Sequence, residues 1–510
     1  MSESLPPPLL PWDEHNQRLA AHVGGEHWRN PVPASRYNLV VLGGGPAGLV
    51  AAAGAAGLGA KVALVEKQWL GGDCLNVGCV PSKALIRAAR AVAAVRKASA
   101  YGVLLPGGWS VDFGAIMERV RRVRADLSPH DSARRFTELG VDVFFGSGRF
   151  AGGDKIEVNG ESLRFAKAVI ATGARAAAPP IRGLNEVPYL TNESLFSLTE
   201  LPRRLGVIGA GPIGCEMAQC FARLGSEVTL VESTRGLLPR EDRDASAVIR
   251  SVLLREGVQI RGGGKDVVVS QTGRGIGMRC ETGSAGWRGE VDRLLVAVGR
   301  APNVEGLGLE SAGIEFGPEG VKVDDFLRTT HPRVFACGDV CSAFQFTHVA
   351  DFMARLALRN ALFGGRARLS RLIIPWCTYT SPELARVGMI ESEARERGVA
   401  VDTFTQELNR VDRAYVDGED EGFVRVHVRK GSDRVVGATV VSSHAGDLIG
   451  EIVVAMNAGA GLGGLSAAIH PYPTVAEAIR KTGDLYQRTR LTPLVRSLMG
   501  RWLAWGRSTR

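Results

Sequence analysis

Cysteine, charge-free segments and clustered charge are all scarce in this sequence. Eight cysteines in 510 residues are too few for a disulfide framework and predict a reducing, cytoplasmic compartment. The opening residues, MSESLPPPLLPWDEH, contain acids and prolines, which is not the pattern of a secretory signal. Residues 37–60 carry no charge, but they include seven glycines. A buried strand, turn and helix explains this stretch better than a membrane span does.

The net charge of +9 comes mostly from scattered arginines, without a Lys/Arg run or a nucleic-acid motif. We therefore predict no nucleic-acid partner and attribute the charge to bound anionic cofactors and an arginine-rich proteome. We also predict no resident metal. The length suffices for three or four domains with well-buried cores.

Two segments share one order: strand, glycine-rich turn, helix, and a second strand closed by an acid. The turn glycines are Gly43, Gly45 and Gly48 in the first segment and Gly209, Gly211 and Gly214 in the second. The closing acids are Glu66 and Glu232. In such units the backbone approaches a pyrophosphate at the N-terminus of the helix, and the acid accepts from ribose hydroxyls. One such turn is a weak signal, but two in the same context predict two dinucleotide sites.

The run GGDCLNVGCVPSK, residues 71–83, begins five residues after Glu66. Its two cysteines, Cys74 and Cys79, lie beside the first dinucleotide unit, which predicts electron transfer between a flavin and a redox-active disulfide. A helix predicted over 82–97 would point its N-terminus towards Cys79 and stabilise a thiolate there. Cys215 and Cys220 have the same spacing within an apolar run, and we interpret them as core residues.

The 71–83 run resembles the active-site segment of the pyridine nucleotide-disulfide oxidoreductases, and the resemblance extends over about 37–486. It implies an α/β fold with two Rossmann-like dinucleotide-binding domains, for FAD and for NADH or NADPH, plus a C-terminal α+β dimerisation domain. A homodimer follows, because the C-terminal motif of this family reaches the partner's site. The predicted divisions are an extension at 1–36, the FAD-binding domain at 37–185 and 306–372, the NAD(P)-binding domain at 186–305, the dimerisation domain at 373–487 and a basic tail at 488–510.

The resemblance also implies residue roles. Cys79 would face the flavin, Cys74 would exchange with the substrate, and Lys83 would lie near flavin N5 with Glu216 as its partner. Glu232 favours NADH over NADPH because it repels a 2′-phosphate, although Arg235 and Arg240 could offset that charge. The implied cofactor-binding residues are Gly43, Gly45, Pro46, Ala47, Gly48, Glu66, Lys67, Gly72, Lys83, Thr172, Gly173, Gly209, Gly211, Gly214, Glu232, Gly299, Arg300, Asp339 and His348. We interpret His348 as ordering the backbone and not as a catalyst.

The C-terminal motif departs from the common family pattern, His-Pro-Thr-x-x-Glu. Here Tyr472 stands five residues before Glu477, and His470 lies two positions further upstream. A tyrosine in this place resembles mercuric reductase, where a soft metal must be guided to thiolates. However, no cysteine follows Cys377, and no N-terminal Cys-x-x-Cys is present. These absences argue against efficient mercury detoxification.

We therefore predict a flavoprotein oxidoreductase that delivers electrons to a thiol, disulfide or soft-metal acceptor. The alternatives are a dihydrolipoyl dehydrogenase with His470 as its base, a quinone or metal reductase, and a redox sensor without turnover. The tail interleaves Leu, Met and Trp with arginines, and no acid follows Asp484. It predicts an amphipathic helix that packs on the dimer surface, the reading we favour, or makes weak contact with an anionic membrane.

Overall fold

The computed structural model describes residues 9–105, 107–232, 236–262, 267–282 and 285–508. The helices are α1 Glu14–Val23, α2 Pro46–Gly57, α3 Gly72–Asn76, α4 Cys79–Lys97, α5 Phe113–Leu127, α6 Ala133–Glu138, α7 Asn192–Leu195, α8 Pro212–Leu224, α9 Arg243–Arg255, α10 Thr347–Phe363, α11 Glu391–Glu396, α12 Asp412–Val416, α13 Ala445–Ala458, α14 Leu462–Ala467, α15 Glu477–Thr489 and α16 Pro493–Ser508.

The strands are β1 Tyr37–Leu42, β2 Val62–Glu66, β3 Val141–Phe145, β4 Arg149–Phe150, β5 Lys155–Val158, β6 Glu161–Ile170, β7 Ala174–Ala176, β8 Arg204–Ile208, β9 Glu227–Val231, β10 Gln259–Arg261, β11 Val267–Thr272, β12 Gly275–Thr282, β13 Ala285–Val291, β14 Arg293–Val296, β15 Arg300–Pro302, β16 Phe316–Gly317, β17 Gly320–Val321, β18 Val334–Ala336, β19 Pro375–Thr378, β20 Glu383–Gly388, β21 Val401–Glu407, β22 Phe423–Arg429 and β23 Val435–Ser442. The chain divides into two compact units, Met1–Thr234 with Gly257–Leu372, and Arg235–Glu256 with Ile373–Arg510.

The first unit contains a mixed seven-stranded sheet, parallel except where β5 pairs with β6 and β4, and a parallel four-stranded sheet. The larger has the order β3-β2-β1-β6-β5-β4, with β18 also pairing β6. Its central strand β1 runs parallel to both neighbours, so that Leu39 pairs with Val62 on one side and with Lys167 on the other. The four-stranded sheet has the order β10-β9-β8-β14 and is parallel throughout. Both sheets repeat the predicted strand, turn, helix and strand, and the α/β class is confirmed.

The N-terminal extension is packed onto the first unit over its described part. Helix α1 begins at an aspartate cap, because the Asp13 carboxylate accepts from the backbone N–H of Asn16 at 2.9 Å. Leu19 and Val23 are fully buried. Of the two alternatives for this segment, packing or disorder, residues 9–36 adopt the first.

The second unit is built on a five-stranded sheet in which every neighbouring pair is antiparallel, in the order β19-β20-β23-β22-β21. Helices α13 and α15 contact this sheet, and Ile449, Ile452 and Ile479 from these helices join its apolar core. This arrangement matches the predicted α+β character of the C-terminal region. The finer domain boundaries given above stay a prediction.

The tail forms a single helix, α16, whose apolar residues are largely exposed. Trp502 is 69% and Trp505 65% exposed. Within the described ranges, no helix has both the length and the apolar character needed to cross a membrane.

Candidate active site

The two glycine-rich turns have nearly the same geometry. Gly43 has φ +104° and Gly209 has φ +109°, and a Cβ at either would stand 2.3 Å from a carbonyl oxygen of the neighbouring strand end. A Cβ on Gly48 or Gly214 would lie within 2 Å of the carbonyl of the first glycine of its own turn. Only glycine fits such conformations and close approaches. Each turn leads directly into a helix, α2 or α8, whose N-terminus has no side-chain cap, the arrangement that can bind a phosphate.

The dithiol segment lies directly on the first turn. The backbone N–H of Gly71 donates to the carbonyl of Gly44 at 2.8 Å. A Cβ on Gly72, which has φ +54°, would come within 2.7 Å of the Gly45 Cα. Gly71 and Gly72 therefore place the segment that carries Cys74 and Cys79 against the first turn.

The two cysteines occupy different electrostatic positions. Helix α4 begins at Cys79, three residues earlier than predicted, so this sulfur lies in the first turn and not before it. A hydrogen bond from Cys74, a second from Thr347 and the nearby charge of Lys83 lower the pKa of Cys79 to about 6. The same hydrogen bond to Cys79, together with burial, raises the pKa of Cys74. Cys79 is therefore the thiolate of the pair at neutral pH.

Thr347 was not among the predicted site residues. Its hydroxyl lies 3.3 Å from the Cys79 sulfur and belongs to the first residue of α10. The sequence held a signal for it, because a hydroxyl residue follows shortly after the Gly338-Asp339 pair. Because Cys79 and Thr347 are 268 positions apart in the sequence, local sequence patterns do not predict their contact.

Lys83 and Glu216 form an ion pair in which Nζ and Oε2 are 3.2 Å apart. Glu216 is 5% exposed, so it is a buried partner of Lys83 and not a solvated glutamate on the helix surface. Lys83 lies one turn after Cys79 on α4, and the nearby Glu216 raises the pKa of Cys79 while Lys83 lowers it. Cys215 and Cys220, on the same helix as Glu216, are buried, as the apolar run predicted.

Arg300 connects the dithiol segment to the strand end that carries Asp339. It forms an ion pair with Asp73, its Nε lies 3.6 Å from the Asp339 carboxylate, and it donates to the carbonyl of Ala174 at 2.6 Å. Burial raises the pKa of Asp339 to about 6, although Arg300 counteracts the shift. Asp73 was missed by sequence reasoning, because an acid beside a catalytic cysteine has no pattern that reveals its distant partner.

The closing acids differ in their surroundings. The Glu66 carboxylate accepts from the backbone N–H groups of Gly44 at 2.6 Å, Gln68 at 2.7 Å and Trp69 at 3.2 Å. It therefore fixes the first turn besides being placed for a ribose. Glu232 is 6% exposed, and a Cβ on Gly262 would touch its Oε1 at 2.1 Å. Two arginines were predicted to lie near enough to offset the charge of Glu232. Arg235 lies outside the described residues, and Arg240 belongs to the second unit.

The remaining predicted cofactor residues lie on strand ends and helix starts of the first unit. Thr172 donates through its hydroxyl to the Asn303 carbonyl at 2.8 Å, and the Asn303 amide donates back to the Thr172 carbonyl at 2.9 Å. His348 is exposed and stacks on Phe346 with ring centroids 5.5 Å apart. The others in this group are Pro46 and Ala47 at the start of α2, Lys67 after β2, and Gly173 and Gly299 with positive φ.

The C-terminal motif belongs to the second unit. The His470 Nδ1 lies 3.0 Å from the Ala468 carbonyl oxygen, which accepts, and its Nε2 lies 2.9 Å from a carboxylate oxygen of Glu451; the side chain is only 8% exposed. Tyr472 is 71% exposed, and its hydroxyl donates to Asp412 at 2.9 Å. Glu477 pairs with Arg480 and Lys481. Glu451 was not predicted, since it lies 19 positions upstream of the motif.

The residues of the first turn fit FAD. Its first three residues, 43–45, are glycines without a Cβ, its helix has no side chain capping the N-terminus, and Gly71 and Gly72 of the dithiol segment contact it. The second turn fits a nicotinamide dinucleotide by the same reasoning. Among the residues that the structure describes, no group of three or more His, Cys, Asp or Glu side chains could hold a metal ion.

Comparison with known proteins agrees with this geometry. A family model described as pyridine nucleotide-disulphide oxidoreductase matches residues 37–354, and the dimerisation domain of that family matches residues 374–482, which indicates a homodimer. The chain is 36% identical to a mercuric reductase of Bacillus cereus over 87% of its own length and 70% of the relative's. It is also 36% identical to a dihydrolipoyl dehydrogenase of Thermus scotoductus, over 88% of its own length and 97% of the relative's.

A solved structure, the Cu(II) complex of the HOCl-induced flavoprotein disulfide reductase RclA from Escherichia coli, matches with a TM-score of 0.77 and 30% identity. The match covers 87% of this chain and 98% of that one. The family description names a pyridine nucleotide and a disulphide, and RclA is named a flavoprotein disulfide reductase. The chain thus belongs to the pyridine nucleotide-disulphide oxidoreductase family, as a flavoprotein disulfide oxidoreductase that uses FAD and NAD(P)H.

Proposed function

We propose that this protein reduces a soft-metal ion at the expense of NADH, through FAD and the Cys74–Cys79 pair. The observation that carries the proposal is the C-terminal motif. An exposed tyrosine, Tyr472, takes the place of the family's catalytic histidine, and the nearby His470 is buried against Glu451. A phenol does not accept a substrate proton at neutral pH as an imidazole does.

The residues around the dithiol support a two-electron transfer. FAD, when bound at the first turn, would supply the two-electron chemistry that links NADH to the dithiol. Reduction breaks the Cys74–Cys79 S–S bond, which leaves Cys79 as the thiolate, with its pKa lowered to about 6, and Cys74 as the thiol that binds the acceptor. Reduction of the acceptor forms the disulfide again. The overall reaction balances as NADH plus a divalent ion giving NAD⁺, H⁺ and the metal reduced by two electrons, as mercuric ion would be. Thiolates are the ligands that such soft ions prefer.

The names of the relatives support the same class of acceptor. One is a mercuric reductase, and the RclA structure contains Cu(II). The absence of cysteine beyond Cys377 means that Cys74 and Cys79 would receive the ion without a C-terminal cysteine pair to deliver it. We therefore expect slower turnover with mercuric ion than a protein with that pair would give.

The test is NADH and NADPH oxidation by the purified holoenzyme with mercuric ion in excess thiol, beside a parallel reaction with lipoamide. The proposal predicts turnover with the metal, its loss in Cys74→Ser, and little with lipoamide. A Tyr472→Phe variant should lower the metal reaction, while Tyr415→Phe, another exposed tyrosine, serves as the matched control. Turnover with lipoamide alone would refute the proposal.

A second candidate is dihydrolipoyl dehydrogenase activity, favoured by one observation. His470 and Glu451 are 2.9 Å apart, and a histidine oriented by a carboxylate is the arrangement that proton transfer to a substrate thiol requires. The small exposed fraction of the His470 side chain counts against it. Lipoamide turnover that is lost in His470→Gln and retained in Tyr472→Phe would establish this function instead.

For the tail, the exposed tryptophans of α16 lead us to propose a weak contact with an anionic membrane surface in place of the packing on the dimer surface that we favoured from the sequence. Successive helical residues are about 100° apart, so the seven large apolar side chains of α16 fall on one half of the helix and Arg496 and Arg507 on the other. Trp502 and Trp505 suit the interfacial layer of a bilayer. Six arginines and no acid between 488 and 510 complement anionic lipid. Packing on a second subunit is the other outcome that the test must distinguish.

A further inference from the structure

The N-terminal helix α1 lies outside the segment that the family model matches, which begins at residue 37. It nevertheless packs on α5 through polar contacts. Asp13 forms an ion pair with Arg121, whose side chain is 8% exposed. One turn later Asn16 is fully buried, and its amide donates to the Pro11 carbonyl at 2.7 Å. Buried polar groups of this kind are costly unless each has a partner.

Arg124 joins α1 to the dithiol segment. One guanidinium nitrogen donates to the Asn16 side-chain oxygen at 2.8 Å, and the other donates to the backbone carbonyl of Asn76 at 2.7 Å. Arg124 is 3% exposed, and burial lowers its pKa to about 10. The planar guanidinium fixes the directions of both bonds, so the position of Asn16 determines where the Asn76 carbonyl is held.

Asn76 lies between Cys74 and Cys79, at the end of α3. Its side-chain amide donates to the carbonyls of Leu70 at 3.0 Å and Gly72 at 2.9 Å. The start of the same segment is attached to α1 by a separate bond, in which the Leu70 N–H donates to the Val23 carbonyl at 2.9 Å. Both ends of the loop that precedes Cys79 are therefore connected to the N-terminal extension.

We propose that α1 is a component of the redox site, in which Asn16 and Arg124 are positioning residues that hold the Cys74–Cys79 segment in register with the flavin turn. The inference rests on the proposed role of these two cysteines as the redox couple. Without the Asn16 side chain, one guanidinium nitrogen of the buried Arg124 has no acceptor, which is energetically unfavourable. We expect the guanidinium to shift and its hydrogen bond to the Asn76 carbonyl to break. Small displacements of reacting groups carry large rate penalties.

The experiment compares three variants of the full-length holoenzyme. Asn16→Leu removes the acceptor for Arg124 at similar volume. Asn16→Asp keeps that acceptor and replaces the donor to the Pro11 carbonyl by a second carboxylate oxygen, so it separates the contact with Arg124 from the contact with Pro11. Arg18→Ala removes an exposed ion pair of α1 with Asp126 and is the matched control. Each is measured for FAD content, anaerobic flavin reduction by NADH, turnover with mercuric ion in excess thiol, and the pH profile of iodoacetamide alkylation of the reduced enzyme.

We expect Asn16→Leu to lower metal turnover about tenfold and to raise the apparent pKa of alkylation, with FAD content and flavin reduction unchanged. Asn16→Asp should retain most of the turnover, and Arg18→Ala all of it. The inference is wrong if Asn16→Leu turns over normally, if Asn16→Asp is as impaired as Asn16→Leu, or if flavin reduction falls in parallel. If the Cys74→Ser variant reduced the metal ion at the wild-type rate, both the proposed function and this inference would be wrong.

Discussion

Replacing Thr347 by valine should weaken the Cys79 thiolate. The Thr347 hydroxyl lies 3.3 Å from the sulfur and is one of the contacts that lower the pKa of Cys79 to about 6. A hydrogen bond to a charged group contributes about 1.5–3 kcal/mol. We expect about 1.4 kcal/mol for the long contact to sulfur, which corresponds to a rise of about one pKa unit.

The consequence for reactivity depends on pH. With a pKa of about 6, Cys79 is half thiolate at pH 6, and after a rise of one unit it would be roughly one-tenth thiolate there. Because the thiolate is the reactive form, alkylation of Thr347→Val at pH 6 should be about fivefold slower, and at pH 8 nearly unchanged. A general loss of structure would slow the reaction at both pH values.

The assay is iodoacetamide labelling of Cys79 from pH 4.5 to 8.5, followed by mass spectrometry of the 68–83 peptide. A Cys74→Ser background leaves one cysteine in that peptide and keeps a hydroxyl donor beside Cys79. Ser82→Ala is the matched control, because the Ser82 hydroxyl donates to the Cys79 backbone carbonyl at 3.2 Å and not to its sulfur. A shift of less than about 0.3 units in Thr347→Val, or an equal shift in Ser82→Ala, would refute the reasoning.

Three further results are expected. Glu232→Ala should raise the ratio of NADPH to NADH turnover roughly tenfold by removing repulsion of a 2′-phosphate, measured as kcat/KM; an unchanged ratio would mean that Glu232 does not face the ribose. The folded pKa of Asp339 is raised to about 6, so its charge costs stability as pH rises from about 4 to 6. In urea unfolding of the apoprotein, the free energy of unfolding of Asp339→Asn relative to wild type should increase by at most about 3 kcal/mol over that pH range. A relative free energy that does not change with pH would contradict the raised pKa. Deleting residues 491–510 should abolish co-sedimentation with phosphatidylglycerol vesicles but not the dimer seen by sedimentation velocity; loss of the dimer would assign α16 to the subunit interface.

Local patterns predicted much of the architecture. Each βαβ unit was recognisable because an apolar strand, a turn that only glycine fits and a closing acid follow one another within about 30 residues. The helix after the dithiol was predicted too, but its start was placed at 82, whereas it begins at Cys79. Pro81 is compatible with the earlier start, because a backbone N–H in the first turn of a helix has no intrahelical partner.

The sulfur environment depended on distant contacts. Glu216 was expected beside Lys83 through family resemblance, and the structure places the two 3.2 Å apart. Thr347, Asp73 with Arg300, and Glu451 with His470 were not anticipated as contacts. None of these residues has a periodicity or spacing that distinguishes it from a solvated neighbour, so the partner becomes visible only after the elements have packed.

The sequence by itself determined the chemical class of this protein: two phosphate-binding turns, one reactive dithiol and a tyrosine where a base is usual. These features are local, because backbone conformation and residue chemistry act over a few positions. Only the tertiary structure decided which distant side chains lower the pKa of Cys79, such as Thr347, and which ones hold the dithiol segment, including Arg124 and the N-terminal Asn16. The physical reason is that pKa values and hydrogen-bond geometry depend on distances between side chains, and packing brings together residues that are far apart in the chain.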